Sequence, residues 1–204
     1  MKRCFIIGGG NFDGFFDDIT DNDLVIAADK GLDFAKKSNL KIDYAIGDFD
    51  STTKPDFSNI IALNPIKDIT DTVASIDIAI DNGYKDIIIY GGLGGRDSHT
   101  ISNIKSMMYY KKKGIDIRLK ACGKEIFVID SDFSYKYQNR DFYVSIFSLT
   151  EKSILDIKGL FYELDNYEMK NDDDLGVSNE TKGCDFEIKV KEGILLVIFE
   201  NFDI

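Results

Sequence analysis

No apolar run in the sequence approaches the roughly 20 residues that a membrane-spanning helix needs, so an anchor of that kind is excluded. Cysteine is scarce: Cys4, Cys122 and Cys184 are odd in number, widely spaced and never in a CxxC pair. Neither a disulfide framework nor a zinc site is therefore indicated, and each reads as a small buried hydrophobe. Positive charge is outweighed, with 25 Lys and Arg against 36 Asp and Glu and a net charge of −11. That balance argues against nucleic acid as a partner, because backbone phosphates bind chiefly through bulk positive charge. The densest basic stretch, Lys111-Lys112-Lys113, falls where a helix should end and there complements the helix dipole. Two familiar nucleotide signatures are also missing. Gly91-Gly92-Leu93-Gly94-Gly95-Arg96 lacks the Lys-Ser/Thr of a P-loop, and Gly8-Gly9-Gly10 has Asp13 where the third glycine of GxGxxG belongs. A P-loop kinase and a dinucleotide oxidoreductase are disfavoured. The first residues pass from Lys2-Arg3 into an apolar stretch that reaches glycine at once, as expected of a first strand and not of a secretion signal. A cytoplasmic protein is expected.

What is present divides into two textures. Up to about residue 120, short apolar runs at 4–7, 24–28, 44–46, 60–63, 87–90 and 115–119 predict strands. Helices are predicted over 32–38, 69–82 and 101–113, the second with Ile69, Val73, Ile76 and Ile80 at helical spacing and Gly83 as its stop. Alternating strand and helix implies a parallel sheet covered on both faces. Ligands in such sheets bind outside the carboxyl ends of the strands. The Gly- and Asp-rich stretches at 8–10, 29–31, 47–51 and 91–97 all fall there. Beyond Cys122, runs at 125–130, 134–137, 142–147, 154–157, 186–190 and 194–199 are short, β-branched or aromatic, and show no helical period. They predict a small antiparallel sandwich or barrel, with Gly193 fitting a hairpin between the last two runs and 171–174 a solvated charged turn.

The stretch Gly47-Asp48-Phe49-Asp50-Ser51 is the focus of the chemistry. Side chains at i and i+2 of an extended segment point the same way, so Asp48 and Asp50 would stand side by side. Two carboxylates that close are costly unless a cation lies between them, and a hard ion with oxygen ligands such as Mg2+ suits the pair. A solvated acidic turn is the plainer alternative. In Lys67-Asp68-Ile69-Thr70-Asp71, Asp68 could cap the second helix with Asp71 at its third position, as in a capping box. Asp71 could equally join Asp48 and Asp50 around a metal. The glycines at 91–95 would let backbone N–H groups approach an anion at a helix start, with Arg96 adding a bidentate fork. A tight turn needing positive φ is the competing explanation. His99 follows in the first turn of the third helix, with Asn103 on the same face.

Taken together, Ala28-Asp29-Lys30-Gly31, Gly47–Ser51, Lys67–Asp71, Gly91–Arg96 with His99 and Asn103, Gly159–Leu164 and Gly176-Val177-Ser178-Asn179-Glu180 resemble the thiamine pyrophosphokinase family nearly end to end. The resemblance implies an N-terminal parallel-sheet α/β (Rossmann-like) catalytic domain and a C-terminal antiparallel β-sandwich that binds thiamine; we place these at 1–122 and 123–204. It implies ATP and thiamine as substrates, Mg2+ as cofactor, and a homodimer with active sites at the subunit interface. By that likeness Asp48, Asp50 and Asp71, with Asp68, hold Mg2+, and Asp48, Asp50, Asp71 and Arg96 carry the catalysis. Asp29, Gly91, Gly92, Gly94, Gly95, Arg96, His99 and Asn103 bind the nucleotide, and Ser178, Asn179 and Tyr162 the thiamine. The chain departs from the family pattern in two places. Asp97-Ser98-His99 puts its aspartate one position before the place where the family usually carries it. The sequence has no tryptophan, so Tyr162 or Phe161 would stack on thiamine. Two other readings fit some of these residues: a thiamine- or nucleotide-binding protein of the same fold with reduced catalysis, and a DxD metal-dependent nucleotide-sugar transferase. The second leaves Gly91–Arg96 and the C-terminal half unexplained.

Overall fold

The computed structural model describes residues 2–47, 60–62 (as backbone) and 69–201, which form two compact units, Met1–Ala121 and Cys122–Ile204. The first unit runs β1 (Arg3–Ile7), β2 (Leu24–Ala28), α1 (Gly31–Lys37), β3 (Tyr44–Gly47), β4 (Ile60–Ala62), α2 (Asp71–Asp81), β5 (Asp86–Tyr90), α3 (Asp97–Lys111) and β6 (Asp116–Ala121). Its strands are parallel throughout, in the order β6-β5-β1-β2-β3-β4. All five residues of β2 and four of five in β1 and β5 are buried, as continuous apolar runs must be when a sheet is covered on both faces. Each predicted helix is present, with shifted ends. In α2 the expected stripe of Ile69, Val73, Ile76 and Ile80 is only partly the buried one: Ile69 lies before the helix and is exposed, and the face that packs is Ala74, Ser75, Ile76 and Ala79. Small side chains let the helix lie close to the sheet. Gly83 ends it at φ +81, where Gly83 N–H bonds Ile80 O at 2.8 Å and Tyr84 N–H bonds Ala79 O at 3.0 Å.

The link from β1 to β2 is not a helix. Residues 8–23 run as an irregular strap whose Phe12, Phe15 and Phe16 pack on a buried cluster containing Phe5, Ile7, Val25 and Tyr90. Phe15 and Tyr90 lie 4.7 Å apart by ring centroids. Asp17 ties the strap down, accepting from the Tyr90 hydroxyl and from Lys120 Nζ at 3.0 Å. At the far end Asp23 joins β1 to the strap. Its oxygens accept from Arg3 N at 2.9 Å, Arg3 Nη2 at 3.0 Å, and Thr20 N and Oγ1 at 3.0 Å each. Burial pushes the Asp23 carboxyl up, but the bonds from Arg3 and Thr20 outweigh it and hold it at about 2 against an ordinary 3.8. The folded pKa is depressed, so the stabilisation is complete above the unfolded value and is lost as pH falls towards the folded one. Replacing Asp23 by Asn should cost about 2 kcal/mol at neutral pH. In chemical denaturation, the gap between the two proteins should close as pH falls from 3.8 to about 2. A gap constant over that window would contradict the assignment.

The second unit contains β7 (Lys124–Ile129), β8 (Phe133–Tyr135), β9 (Tyr143–Ser148), β10 (Lys152–Lys158), β11 (Leu164–Lys170), β12 (Asn179–Glu180), β13 (Phe186–Glu192) and β14 (Leu195–Glu200). These strands pair antiparallel as β12-β9-β14-β7 and β11-β10-β13-β8, a sandwich. Phe127, Phe142, Phe186 and Phe199 are buried within it. Two strands were not expected from the sequence, β11 and β12. The expected hairpin at Gly193 is also corrected: β13 pairs with β10 and β8, whereas β14 pairs with β7 and β9. Gly193, at φ +90, is instead the corner where the chain changes sheet, and a Cβ there would lie 2.7 Å from Thr150 Oγ1 and 2.8 Å from Lys152 O. The 171–174 turn is more than solvated, since Asp173 accepts from the Tyr167 hydroxyl and from Leu175 N–H. Of the three cysteines only Cys4 is buried; Cys122 and Cys184 are exposed, one in a turn and the other in a loop.

Candidate functional site

The strand order of the first unit has one reversal. From β1 the chain moves outward through β2, β3 and β4, then returns to place β5 on the other side of β1. The crevice outside the carboxyl ends of the strands at such a reversal is where open α/β sheets bind ligands. A cavity of about 420 Å3 opens at this position. It is bordered by the β1 loop (Gly9, Gly10), the β2 end (Asp29, Lys30), the start of α2 (Thr70, Asp71, Thr72), the β5 loop (Gly91, Gly92, Gly94, Gly95) and the start of α3 (Arg96, His99, Asn103).

The β5 loop is built in an unusual way. The carbonyls of three successive residues each accept a bond from the surrounding fold: Gly91 O from Gly10 N at 2.8 Å, Gly92 O from Asn103 Nδ2 at 2.7 Å, and Leu93 O from Asn11 N at 3.0 Å. In a trans peptide the N–H points opposite its carbonyl, so the N–H groups of Gly92, Leu93 and Gly94 turn away from those partners. Among the described residues no protein acceptor meets them. Close approach explains several of the glycines. A Cβ on Gly10 would lie 2.5 Å from Gly91 O and 2.8 Å from Leu93 O, and Gly91 and Gly94 have φ of +65 and +71. Gly95, at φ +70, has almost nothing within 4 Å of where a Cβ would stand. Turn geometry therefore accounts for part of the glycine run, while the run also leaves a row of N–H donors beside the cavity.

The loop feeds α3, whose N-cap residue Arg96 makes no side-chain capping bond. His99 N–H bonds Arg96 O at 2.9 Å, which leaves the first-turn N–H groups of Asp97 and Ser98 for an anion, with the positive end of a 15-residue helix behind them. Arg96 and His99 are exposed and face the cavity; Asp97 and Ser98 are exposed but do not border it. Asn103 is buried, and its amide nitrogen is engaged by Gly92 O. At α2 the expected capping box is absent. Thr70 is the N-cap, its Oγ1 accepting from Val73 N at 3.3 Å, and Asp71 is the first helical residue, not the third. The helix starts two residues later than expected, which puts Thr70 and not Asp68 at the capping position. The Asp71 side chain consequently borders the cavity. Asp48, Asp50 and Asp68 lie outside the described residues. Among the described residues no three His, Cys, Asp or Glu side chains converge closely enough to hold a metal ion. Sequence reasoning missed Lys30, Thr70 and Thr72 at the cavity edge, although Lys30 stands beside Asp29 at the end of β2.

In the second unit, Tyr162, Ser178 and Asn179 come together where a loop meets β12. Asn179 Oδ1 accepts from Tyr162 N at 2.9 Å, and its Nδ2 donates to Tyr162 O at 2.7 Å. Ser178 is exposed at φ +54, and its N–H bonds Ser145 Oγ at 3.0 Å. Glu163 Oε1 takes Lys182 Nζ at 2.9 Å and Gly159 N at 3.1 Å, bonds that hold its carboxyl at about 2.

Comparison with known proteins agrees with both halves. The family model described as thiamin pyrophosphokinase, catalytic domain, matches residues 16–119, and that described as thiamin pyrophosphokinase, vitamin B1 binding domain, matches residues 134–195. A thiamine pyrophosphokinase of Bacillus subtilis (strain 168) is 28% identical over 213 residues, spanning 97% of this chain and 98% of that protein. The crystal structure of the Bacillus subtilis thiamine pyrophosphokinase aligns at a TM-score of 0.86 and 25% identity, covering 100% of both chains. Thiamin pyrophosphokinase from Geobacillus thermodenitrificans aligns at 0.84 and 24% identity over 98% of this chain and 97% of the other. The enzyme from Candida albicans, at 0.75 and 18%, covers 97% and 88% and shares the fold. With an α/β unit and a β-sandwich in the same order as the two matching domain models, this chain belongs to the thiamin pyrophosphokinase family.

Proposed function

We propose that the chain transfers the terminal pyrophosphoryl group of ATP to the hydroxyl of thiamine, releasing AMP and thiamine diphosphate. One observation carries the reading at the level of residues: the β5 loop has turned three successive carbonyls into the fold, leaving N–H groups, an uncapped helix start and Arg96 at one cavity. Such an array suits a polyphosphate. Arg96 and the loop N–H groups hold the phosphates and take up charge as the α–β bridging bond breaks. The thiamine hydroxyl attacks the β-phosphorus in line, so the protein's work is positioning and charge neutralisation. Asp29, Lys30 and His99 border the same cavity and contact the nucleotide. The carboxylates of Asp48, Asp50, Asp68 and Asp71 form an oxygen-only donor set that suits Mg2+, and Asp71 opens onto the cavity. When bound, the ion neutralises phosphate charge and orients the transferred group. In the second unit, Tyr162 offers the ring face for thiamine, with Ser178 and Asn179 beside it. The proposal includes a cytoplasmic homodimer with active sites at the subunit interface; no helix among the described residues is long and apolar enough to cross a membrane.

Product analysis with thiamine, ATP and Mg2+ tests the reaction. AMP should appear in step with thiamine diphosphate, whereas ADP with thiamine monophosphate would overturn the reading. The site assignment in the second unit has its own check. Ser178→Ala keeps the backbone but removes the hydroxyl, and should raise the KM for thiamine several-fold more than that for ATP. Equal changes in the two constants would remove Ser178 from the thiamine pocket.

A further inference from the structure

The loop between β10 and β11 ends in two adjacent aromatic residues that the fold leaves in solvent. Phe161 is 63% and Tyr162 66% exposed, with ring centroids 5.2 Å apart in an edge-to-face arrangement. The backbone beneath them is nonetheless held at every step. Gly159 N bonds Glu163 Oε1 at 3.1 Å, Leu160 bridges Thr181, and Phe161 N bonds Glu180 O at 2.8 Å. Tyr162 is then gripped on both of its main-chain groups by the Asn179 amide, which also accepts from Glu180 N at 2.9 Å. Asn179 is only 7% exposed. Its oxygen already takes two donors and one of its two N–H bonds is committed, which leaves little of the amide for a ligand.

Ordering a loop so completely around exposed rings costs conformational entropy and leaves apolar surface in water. The arrangement is understandable if a ligand covers the rings. Resting on the thiamine-binding role proposed above for this surface, we infer that Asn179 is a positioning residue: it does not contact thiamine, but fixes the backbone of Tyr162 so that the phenol ring meets the ligand. Asn179 thereby does with one side chain what a pair of ladder hydrogen bonds does between strands. The inference separates the roles of two neighbours in Ser178-Asn179, the first facing outward and the second inward.

A double-mutant cycle on the full-length protein tests this, with thiamine affinity measured by titration calorimetry in the absence of ATP. Asn179→Ala and Tyr162→Ala should each weaken thiamine binding by about tenfold, the scale of a lost aromatic contact. If Asn179 acts through Tyr162, the double variant should be no weaker than Tyr162→Ala alone, since additivity fails for coupled residues. Multiplied losses, about a hundredfold in the double variant, would mean that Asn179 contacts thiamine itself and would overturn the inference. Asn179→Asp provides a second route should the alanine variant not fold. It keeps the oxygen that accepts from Tyr162 N but sets a second acceptor against Tyr162 O, so thiamine binding should weaken, and that loss should also vanish in the Tyr162→Ala background. A loss that persists there would again overturn the inference. If the unaltered protein fails to bind thiamine, the function proposed above fails and the inference falls with it; intact binding with multiplied losses sinks the inference alone.

Discussion

Asp71→Asn should lower kcat by at least about a hundredfold while the protein remains folded, the scale seen when one preorganised charge-stabilising group is removed from an active site. The substitution is nearly isosteric and exchanges a full negative charge for a neutral amide. Asp71 is the first residue of α2, where a carboxylate interacts favourably with the helix dipole by about 0.3–1 kcal/mol. The helix keeps its Thr70 cap, so thermal unfolding should shift by little more than that. A large loss of rate with a small loss of stability is the signature of a charge that serves the reaction. Asp48→Asn and Asp50→Asn should behave alike, because the three carboxylates are proposed to act on one ion. Raising the Mg2+ concentration should recover part of the lost rate in each variant. A normal rate in Asp71→Asn would remove it from the metal set, and a global loss of structure would make it a helix-stabilising residue only.

Asn103→Leu should cost about a hundredfold in kcat/KM for ATP and leave the KM for thiamine within twofold, because misplacing groups by about 1 Å can lower rates by that factor. The leucine has similar volume but no donor, so Gly92 O loses its 2.7 Å partner inside the protein. An unmet buried carbonyl costs about 1–3 kcal/mol, and the peptide is free to rotate to find another partner. Rotation of that peptide carries the Leu93 N–H with it, since the two groups share one plane. The row of donors is broken at its centre. Asn103→Asp should be worse than Asn103→Leu at neutral pH, as an ionised carboxylate can only accept and would face an acceptor. Steady-state kinetics with each substrate varied in turn provides the readout. Equal losses against ATP and thiamine would indicate a general loss of structure and not a displaced phosphate loop.

Why the sequence revealed some of this and not the rest follows from how each part is stabilised. Runs such as Leu24–Ala28 and Asp86–Tyr90 are legible because strands buried on both faces must be apolar throughout. The glycine run at 91–95 is legible because positive φ and close backbone contact admit little else. By contrast β11, LDNYEMK, carries charges along an edge strand and buries only Met169 fully, so no alternating pattern signals it. The two-residue β12 is too short to have a pattern at all. At Gly193 the sequence contains a turn residue between two apolar runs, and nothing local distinguishes a hairpin from a change of sheet. The strap at residues 8–23 was hidden for a related reason: Phe12, Phe15 and Phe16 stand at the i, i+3, i+4 spacing of a helix face, yet the segment is irregular, with Gly14 at φ +139 among them, and the three rings fit the gaps of a tertiary surface.

The site shows the same division. That Asn103 and His99 share a helix face was plain from their spacing, and both border the cavity. That Asn103 grips Gly92 from inside the protein was not, because an asparagine that binds a ligand and one that binds a loop look identical in a sequence. Asn179 presents the same ambiguity, resolved by the Tyr162 bonds on both sides of its amide. Thr70 as the cap of α2 was masked by two neighbouring aspartates, each a strong capping residue in its own right. Capping is a competition among adjacent candidates, and the winner is set by where the helix packs.

The account rests on one bond being broken, the bridge between the α- and β-phosphates of ATP. The most direct measurement offers the protein two ATP analogues with thiamine and Mg2+, one with a methylene in the α,β bridge and one with a methylene in the β,γ bridge. Pyrophosphoryl transfer leaves the β,γ bridge untouched, so the β,γ-methylene analogue should be turned over to AMP and a methylene analogue of thiamine diphosphate. The α,β-methylene analogue should bind and inhibit without reacting. The reverse result, in which the β,γ analogue is inert and the α,β analogue yields a monophosphate ester, would place the cleavage at the γ-phosphate and contradict the account.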